Sequence, residues 1–102
     1  MQKVVEDKLA AIEELCRRYA VSRLELFGSA LREDFQPQSS DLDFLVEFSD
    51  YTPENAADRF LGLLVDLEDL FERKIDLVSS KAIRNPYFRQ VVDSTKVLLY
   101  AA

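Results

Sequence analysis

The chain has no histidine and one cysteine. Without histidine there is no Ser-His-Asp triad, no Cys-His pair and no histidine-ligated zinc centre. Cys16 alone makes neither an intrachain disulfide nor a cysteine-rich zinc site, and its place on an apolar helical stripe reads as a small buried hydrophobe. Chemistry is left to carboxylates, hydroxyls, Lys and Arg. Only two Gly and three Pro occur, which argues against long disordered tracts. No apolar run approaches the roughly 20 residues that cross a bilayer. Residues 1–7 alternate charged and apolar side chains and lack a secretory apolar core, so a cytoplasmic location is expected. Basic residues are the minority, 13 Lys and Arg against 19 Asp and Glu, for a net charge of −6. An acidic chain repels phosphate backbones, so direct nucleic-acid binding is not expected. Acidity suits a site that collects cations, or a surface that docks on a basic partner. The 102 residues, 48% of them hydrophobic, fit one domain, 1–102, with a compact core.

Hydrophobic periodicity places the elements. Val5, Leu9, Ile12, Leu15, Cys16 and Tyr19 recur at spacings of three and four, which predicts a helix over residues 2–20. Residues 21–27 read as a short strand ended by Gly28-Ser29, residues 30–34 as the start of a short helix, and 36–40 as loop. In 42–48, Leu42, Phe44, Val46 and Phe48 share one face at period two, while Asp41, Asp43, Leu45 and Glu47 share the other. The first face must be buried. Thr52-Pro53 opens a helix with Thr at the N-cap and Pro at the first helical position. This helix runs to about residue 72, with Phe60, Leu63, Leu64, Leu67, Leu70 and Phe71 on its apolar side. Gly62 within it costs about 1 kcal/mol against Ala and marks a close contact. Residues 74–79 form a further strand, Asn85-Pro86 opens a short helix, and 96–100 are a last strand or a partner-facing tail. The order helix, strand, strand, helix, strand, helix, strand fits an α/β (α+β) fold, a small mixed β-sheet covered by helices.

Asp41 and Asp43 lie two apart in an extended segment and project to one face, about 6 to 7 Å from each other. Two carboxylates so placed can grip hard cations, and Mg²⁺ is usually held by one or two carboxylates plus substrate phosphates. With ten Asp in the chain, an isolated Asp-x-Asp also arises by chance, and then it is a solvated strand edge. Here the pair opens the most hydrophobic strand. Asp76 is an acid between Ile75 and Leu77 in another short apolar strand, and at period two it shares a face with Val78. If the strands are neighbours, Asp76 joins Asp41 and Asp43 in a cluster that is electrostatically costly without a metal. The alternative is an ion pair between Asp76 and Lys74 or Arg73. Gly28 lets the chain turn sharply and lets a phosphate approach the backbone. Ser29 can offer its hydroxyl and nearby N–H groups to phosphate oxygens, or serve as an ordinary N-cap. Arg32, one helical turn on, can reach a triphosphate or pair with a site carboxylate.

Taken together, Gly28-Ser29-Ala30-Leu31-Arg32, twelve residues from Ser29 to Asp41, Ser40-Asp41-Leu42-Asp43, and Ile75-Asp76-Leu77-Val78 resemble the minimal nucleotidyltransferases (MNT) of the DNA polymerase β-like superfamily. The similarity spans about residues 24–100, and it is the combination that is specific. Leu31 and Glu33 flank Arg32 where the family often has Ala and Gly. The resemblance implies a palm-like nucleotidyltransferase fold. It also implies nucleotidyl transfer with two Mg²⁺ ions held by Asp41, Asp43 and Asp76, and with the ATP triphosphate held by Gly28, Ser29 and Arg32. Proteins of this kind resemble the antitoxin of type VII toxin–antitoxin pairs, which move AMP from ATP to a tyrosine hydroxyl of a HEPN-domain toxin. The core motifs take up nearly all of the chain, so the acceptor is expected on another molecule. Two other functions stay open: a non-catalytic antitoxin that neutralises its partner by contact, and transfer to a small hydroxylated molecule. Self-association into a homo-oligomer is compatible with either.

Overall fold

The computed structural model describes residues 3–27, 42–49, 52–80 and 85–102. In chain order these form α1 (Lys3–Glu6), α2 (Leu9–Arg18), β1 (Val21–Phe27), β2 (Leu42–Phe48), α3 (Pro53–Phe71), β3 (Ile75–Ser79), α4 (Pro86–Thr95) and β4 (Val97–Ala101). The strands make one sheet in the order β3-β2-β1-β4. β1 runs antiparallel to both β2 and β4, and β2 runs parallel to β3. The sheet is therefore mixed, as the sequence pattern predicts.

Alternation builds the core. Leu24 and Leu26 of β1, Leu42, Phe44, Val46 and Phe48 of β2, Ile75 and Leu77 of β3 and Leu99 of β4 are buried in one cluster. Opposite them lie Ile12, Leu15 and Cys16 of α2, and Leu63, Leu67 and Phe71 of α3. Phe44 and Phe71 meet at a ring separation of 5.9 Å with a tilt of 35°. Each fully buried aliphatic or aromatic side chain contributes about 1.5–3 kcal/mol, so this helix-covered face supplies most of the stability. The helix expected over 2–20 is two helices. At the break the Lys8 N–H bonds the Val5 carbonyl, three residues back, at 3.0 Å. No Gly or Pro marks that switch, and Val5 stays on the buried stripe through it, so hydrophobic period alone does not reveal it.

Local chemistry fixes the helix ends. The Thr52 N–H donates to the Asn55 side-chain oxygen at 3.4 Å, at the start of α3. Arg59 reaches from the second turn of α3 to the Ser49 carbonyl at 2.7 Å and to Asn55 Oδ1 at 3.2 Å, with its guanidinium 5.1 Å from the Phe48 ring centroid. It thereby ties α3 to the end of β2. Gly62 faces Tyr19, whose hydroxyl donates to Asp66. That bond, with partial burial second, pushes the Tyr19 phenol pKa up. The close contact expected at Gly62 is thus with the Tyr19 ring.

Candidate active site

The other face of the sheet carries the polar chemistry. Period two sends Glu25 and Phe27 of β1 away from the helices, with Asp43 and Leu45 of β2 and Asp76 and Val78 of β3. Phe27, Leu45 and Val78 form a small second apolar cluster there. Registers set the rest. Phe27 is the partner of Asp43 across the antiparallel β1–β2 ladder, and Asp43 is the partner of Asp76 across the parallel β2–β3 ladder. Partners in register project to the same side of a sheet, with neighbouring strands about 4.8 Å apart. Asp43 and Asp76 therefore stand side by side at the end of the sheet where β1 finishes and β2 and β3 begin.

Strand adjacency, the condition on which the sequence argument turned, is met. Asp43 is half-buried and Asp76 exposed. Among the described residues no ion pair ties Asp76 to Lys74 or Arg73, the alternative that the sequence allowed. Two carboxylates in register repel each other, by on the order of 1 kcal/mol where water screens them. Both are hard oxygen donors of the type that Mg²⁺ takes, so these two of the three acids fit the metal that the resemblance implies. Asp41, Gly28, Ser29 and Arg32 lie outside the described residues. Of the three acids, Asp43 and Asp76 are adjacent.

A charged group on the same face was not singled out from the sequence. Glu25 is the one buried charged side chain among the described residues, 4% exposed. Arg23 Nε lies 3.2 Å from one of its oxygens and Lys96 Nζ 3.3 Å from the other. Lys96 also lies 3.2 Å from Asp93 of α4. A signal was there: Glu25 sits between Leu24 and Leu26 in the segment read as a strand, and at period two it shares a face with Phe27. A cavity of about 340 Å³ lined by Ala11, Glu14, Arg18, Asp66 and Leu70 lies between α2 and α3. It is on the helical side of the sheet, away from Asp43 and Asp76; Glu14, Asp66 and Asp69 line it, but Arg18 engages two of them, and among the described residues no three acids converge as metal ligands.

Comparisons with known proteins agree with the fold. The family described as "Nucleotidyltransferase domain" matches residues 10–99. A protein of Methanocaldococcus jannaschii named "Putative protein adenylyltransferase" is 32% identical over 93 residues, covering 83% of this chain and 91% of that protein. A solved structure described as "putative minimal nucleotidyltransferase" superposes with a TM-score of 0.68 at 29% identity, covering 93% of this chain and 92% of its own. The fold also matches a complex described as "tri-AMPylated Shewanella oneidensis HEPN toxin in complex with MNT antitoxin", with a TM-score of 0.65 at 20% identity over 95% of this chain and 72% of that one.

Proposed function

The chain belongs to the nucleotidyltransferase domain family, and from that premise we propose that it is an Mg²⁺-dependent protein adenylyltransferase, the antitoxin of a type VII pair, which moves AMP from ATP to a tyrosine hydroxyl of a HEPN-domain toxin. The observation that carries this is the in-register pair Asp43 and Asp76 on the sheet face opposite the helical layer. Two supports come from relatives: the name adenylyltransferase on a 32% identical protein, and the AMPylated HEPN toxin bound to an MNT antitoxin of the same fold.

In this mechanism the acceptor oxygen attacks the α-phosphorus in line. The bond from that phosphorus to the bridging oxygen breaks, pyrophosphate leaves, and the hydroxyl gives up its proton to the acidic cluster. Asp41, Asp43 and Asp76 would hold two Mg²⁺ ions, which when bound lower the pKa of the attacking hydroxyl and neutralise the departing oxygens. Asp43 and Asp76 sit on adjacent, hydrogen-bonded strands, so their carboxylates are positioned by the sheet rather than by a loop, and little reorganisation accompanies reaction. Gly28 and Ser29, which follow β1 directly, would cradle the triphosphate, with Arg32 against it. No step needs histidine.

The test is transfer of label from α-labelled ATP to the co-expressed HEPN partner. Wild type with Mg²⁺ labels the partner. Asp43→Asn and Asp76→Asn each lower labelling at least 100-fold, about 3 kcal/mol of transition-state stabilisation, with a urea midpoint no lower than that of wild type. Labelling that persists in both variants would sink the mechanism. Loss of label with full neutralisation of the toxin would show protection by contact alone.

A further inference from the structure

We infer that Lys96, held by the buried Glu25, is a nucleotide-binding residue that contacts the β- and γ-phosphates of ATP; this rests on the nucleotidyl-transfer function proposed above. Glu25 needs an explanation first. Its strand neighbours across the sheet are Leu45 and Leu98, so an aliphatic side chain would fit there. Burying a carboxylate carries a desolvation penalty that a Val or Ile avoids, and a buried ion pair is weak evidence of a stabilising device. What Glu25 does achieve is to fix Lys96. Its second oxygen lies 3.3 Å from Nζ, while Asp93 holds the same ammonium from the α4 side at 3.2 Å.

The place at which Lys96 is fixed points to a ligand. Val97 is the partner of Leu26, so Lys96 comes alongside Phe27, the partner of Asp43, which is the partner of Asp76. One row across the four strands thus reads Asp76, Asp43, Phe27, Lys96. The acids occupy one end and the cation the other, two strand spacings from Asp43, or about 10 Å between backbones. A lysine side chain spans part of that gap. An ammonium carries three donors, and two carboxylates engage it, which leaves donor capacity for a phosphate oxygen. The side chain is 26% exposed, enough for a ligand to reach it. Arg23, Arg89 and Lys96 stand with Glu25 and Asp93 in one linked set, and with Glu47 in register beside Arg23 the set balances, without the acid excess of the chain as a whole. In the proposed reaction the α-phosphate would lie over Asp43 and Asp76, the residues that would hold the metal. The remaining phosphates run from there toward the end of β1, where Lys96 stands.

The test is binding of ATP and of AMP, each with Mg²⁺, to the intact protein by titration calorimetry. Three variants are compared with wild type: Lys96→Met, Lys96→Arg, and the neutral pair Glu25→Gln with Lys96→Met. Lys96→Met weakens ATP at least 10-fold and leaves AMP within 2-fold. Lys96→Arg restores ATP to within 3-fold of wild type. The doubly neutral variant retains the fold, because no unpaired charge is left buried, and shows the same selective loss of ATP. A purely structural lysine would lower the unfolding midpoint and change ATP and AMP alike, and ATP binding unchanged in the doubly neutral variant would overturn the inference. Failure of wild type to bind Mg²⁺-ATP at all would instead overturn the proposed function, and this inference with it.

Discussion

Replacing Gly62 by Ala sets two effects of known sign against each other. In an exposed helix interior Ala is favoured over Gly by about 1 kcal/mol, so propensity alone makes the change stabilising. At position 62, however, a Cβ would lie 2.7 Å from Tyr19 Cε1 and 3.1 Å from both Cζ and the hydroxyl oxygen. Carbon atoms in contact prefer about 3.5–4.0 Å, so the ring must retreat by roughly 1 Å. It is not at liberty to do so. Its hydroxyl donates to Asp66, which also accepts from Arg18 at 3.4 Å, and its body packs on the core cluster. A hydrogen bond to a charged acceptor contributes about 1.5–3 kcal/mol, and overpacking a filled contact costs about 1–3 kcal/mol. The clash therefore outweighs the propensity gain, for a net loss of about 1–3 kcal/mol. In a domain of this size each kcal/mol moves Tm by about 4–8 °C, so Gly62→Ala lowers Tm by roughly 4–24 °C in a thermal melt followed by circular dichroism. The control removes the ring. In a Tyr19→Ala background the same substitution should stabilise by about 1 kcal/mol, giving a coupling of about 2 kcal/mol or more in the double-mutant cycle. A single Gly62→Ala variant more stable than wild type would refute the account of the α2–α3 contact.

The remaining predictions concern pH and backbone conformation. Burial first, and the charge of Glu13 second, push the Cys16 thiol from its ordinary 9.0 to about 12. The unfolded chain therefore loses this proton near pH 9 while the folded chain keeps it. The contribution is complete below pH 9 and falls by about 1.4 kcal/mol per pH unit until about pH 12. Urea denaturation of wild type and Cys16→Ala at pH 8 and 10.5 should show a steeper decline for wild type, since groups common to both cancel; equal declines would refute it. Ala20 and Glu72 both sit in the left-handed region, at φ 55° and 53°, where only Gly is unstrained. Ala20→Gly and Glu72→Gly should each raise stability by about 0.5–1 kcal/mol, with Glu72→Gly the larger because it also removes a negative charge from the C-terminal end of α3. Thermal melts of the two variants measure this directly, and no gain in either would contradict the strain.

How much of this was legible in the sequence follows from how local each signal is. Leu42, Phe44, Val46 and Phe48 alternate with Asp43 and Glu47, so strand, buried face and site face of β2 are written in seven residues. The α3 stripe is equally explicit, from Thr52-Pro53 at its start to Phe71 at its end. Asp76 was legible as an acid in a strand, on the face of Val78. That its strand lies beside β2, parallel and in register at Asp43, is a pairing between residues 33 positions apart, and no local pattern encodes it; the family resemblance supplied the expectation. The break between α1 and α2 is invisible to periodicity because Val5 and Ile12 stay on one stripe across it. The link from Arg59 to the end of β2 is likewise unreadable, since its acceptor there is the Ser49 carbonyl, a main-chain group that any sequence offers. Glu25 and Lys96 are separated by 71 residues and meet only because β4 closes the sheet beside β1.

The sheet divides its work by face, and the division explains why an acid pair can exist there at all. On the helical side Leu24, Leu26, Phe44, Val46, Ile75 and Leu77 are buried against α2 and α3, so the strands are held in register whatever stands on the opposite side. Repulsion between Asp43 and Asp76, on the order of 1 kcal/mol in a screened setting, is small against that burial and cannot shift the register. A one-residue slip between β2 and β3 would relieve the repulsion, but it would also turn Ile75 and Leu77 away from the core. The acids are thus kept together by residues that never touch a ligand, while their own charges favour separation. A cation bound there, as proposed, would find like charges already assembled by the fold, so that little of its binding energy would be spent on gathering them.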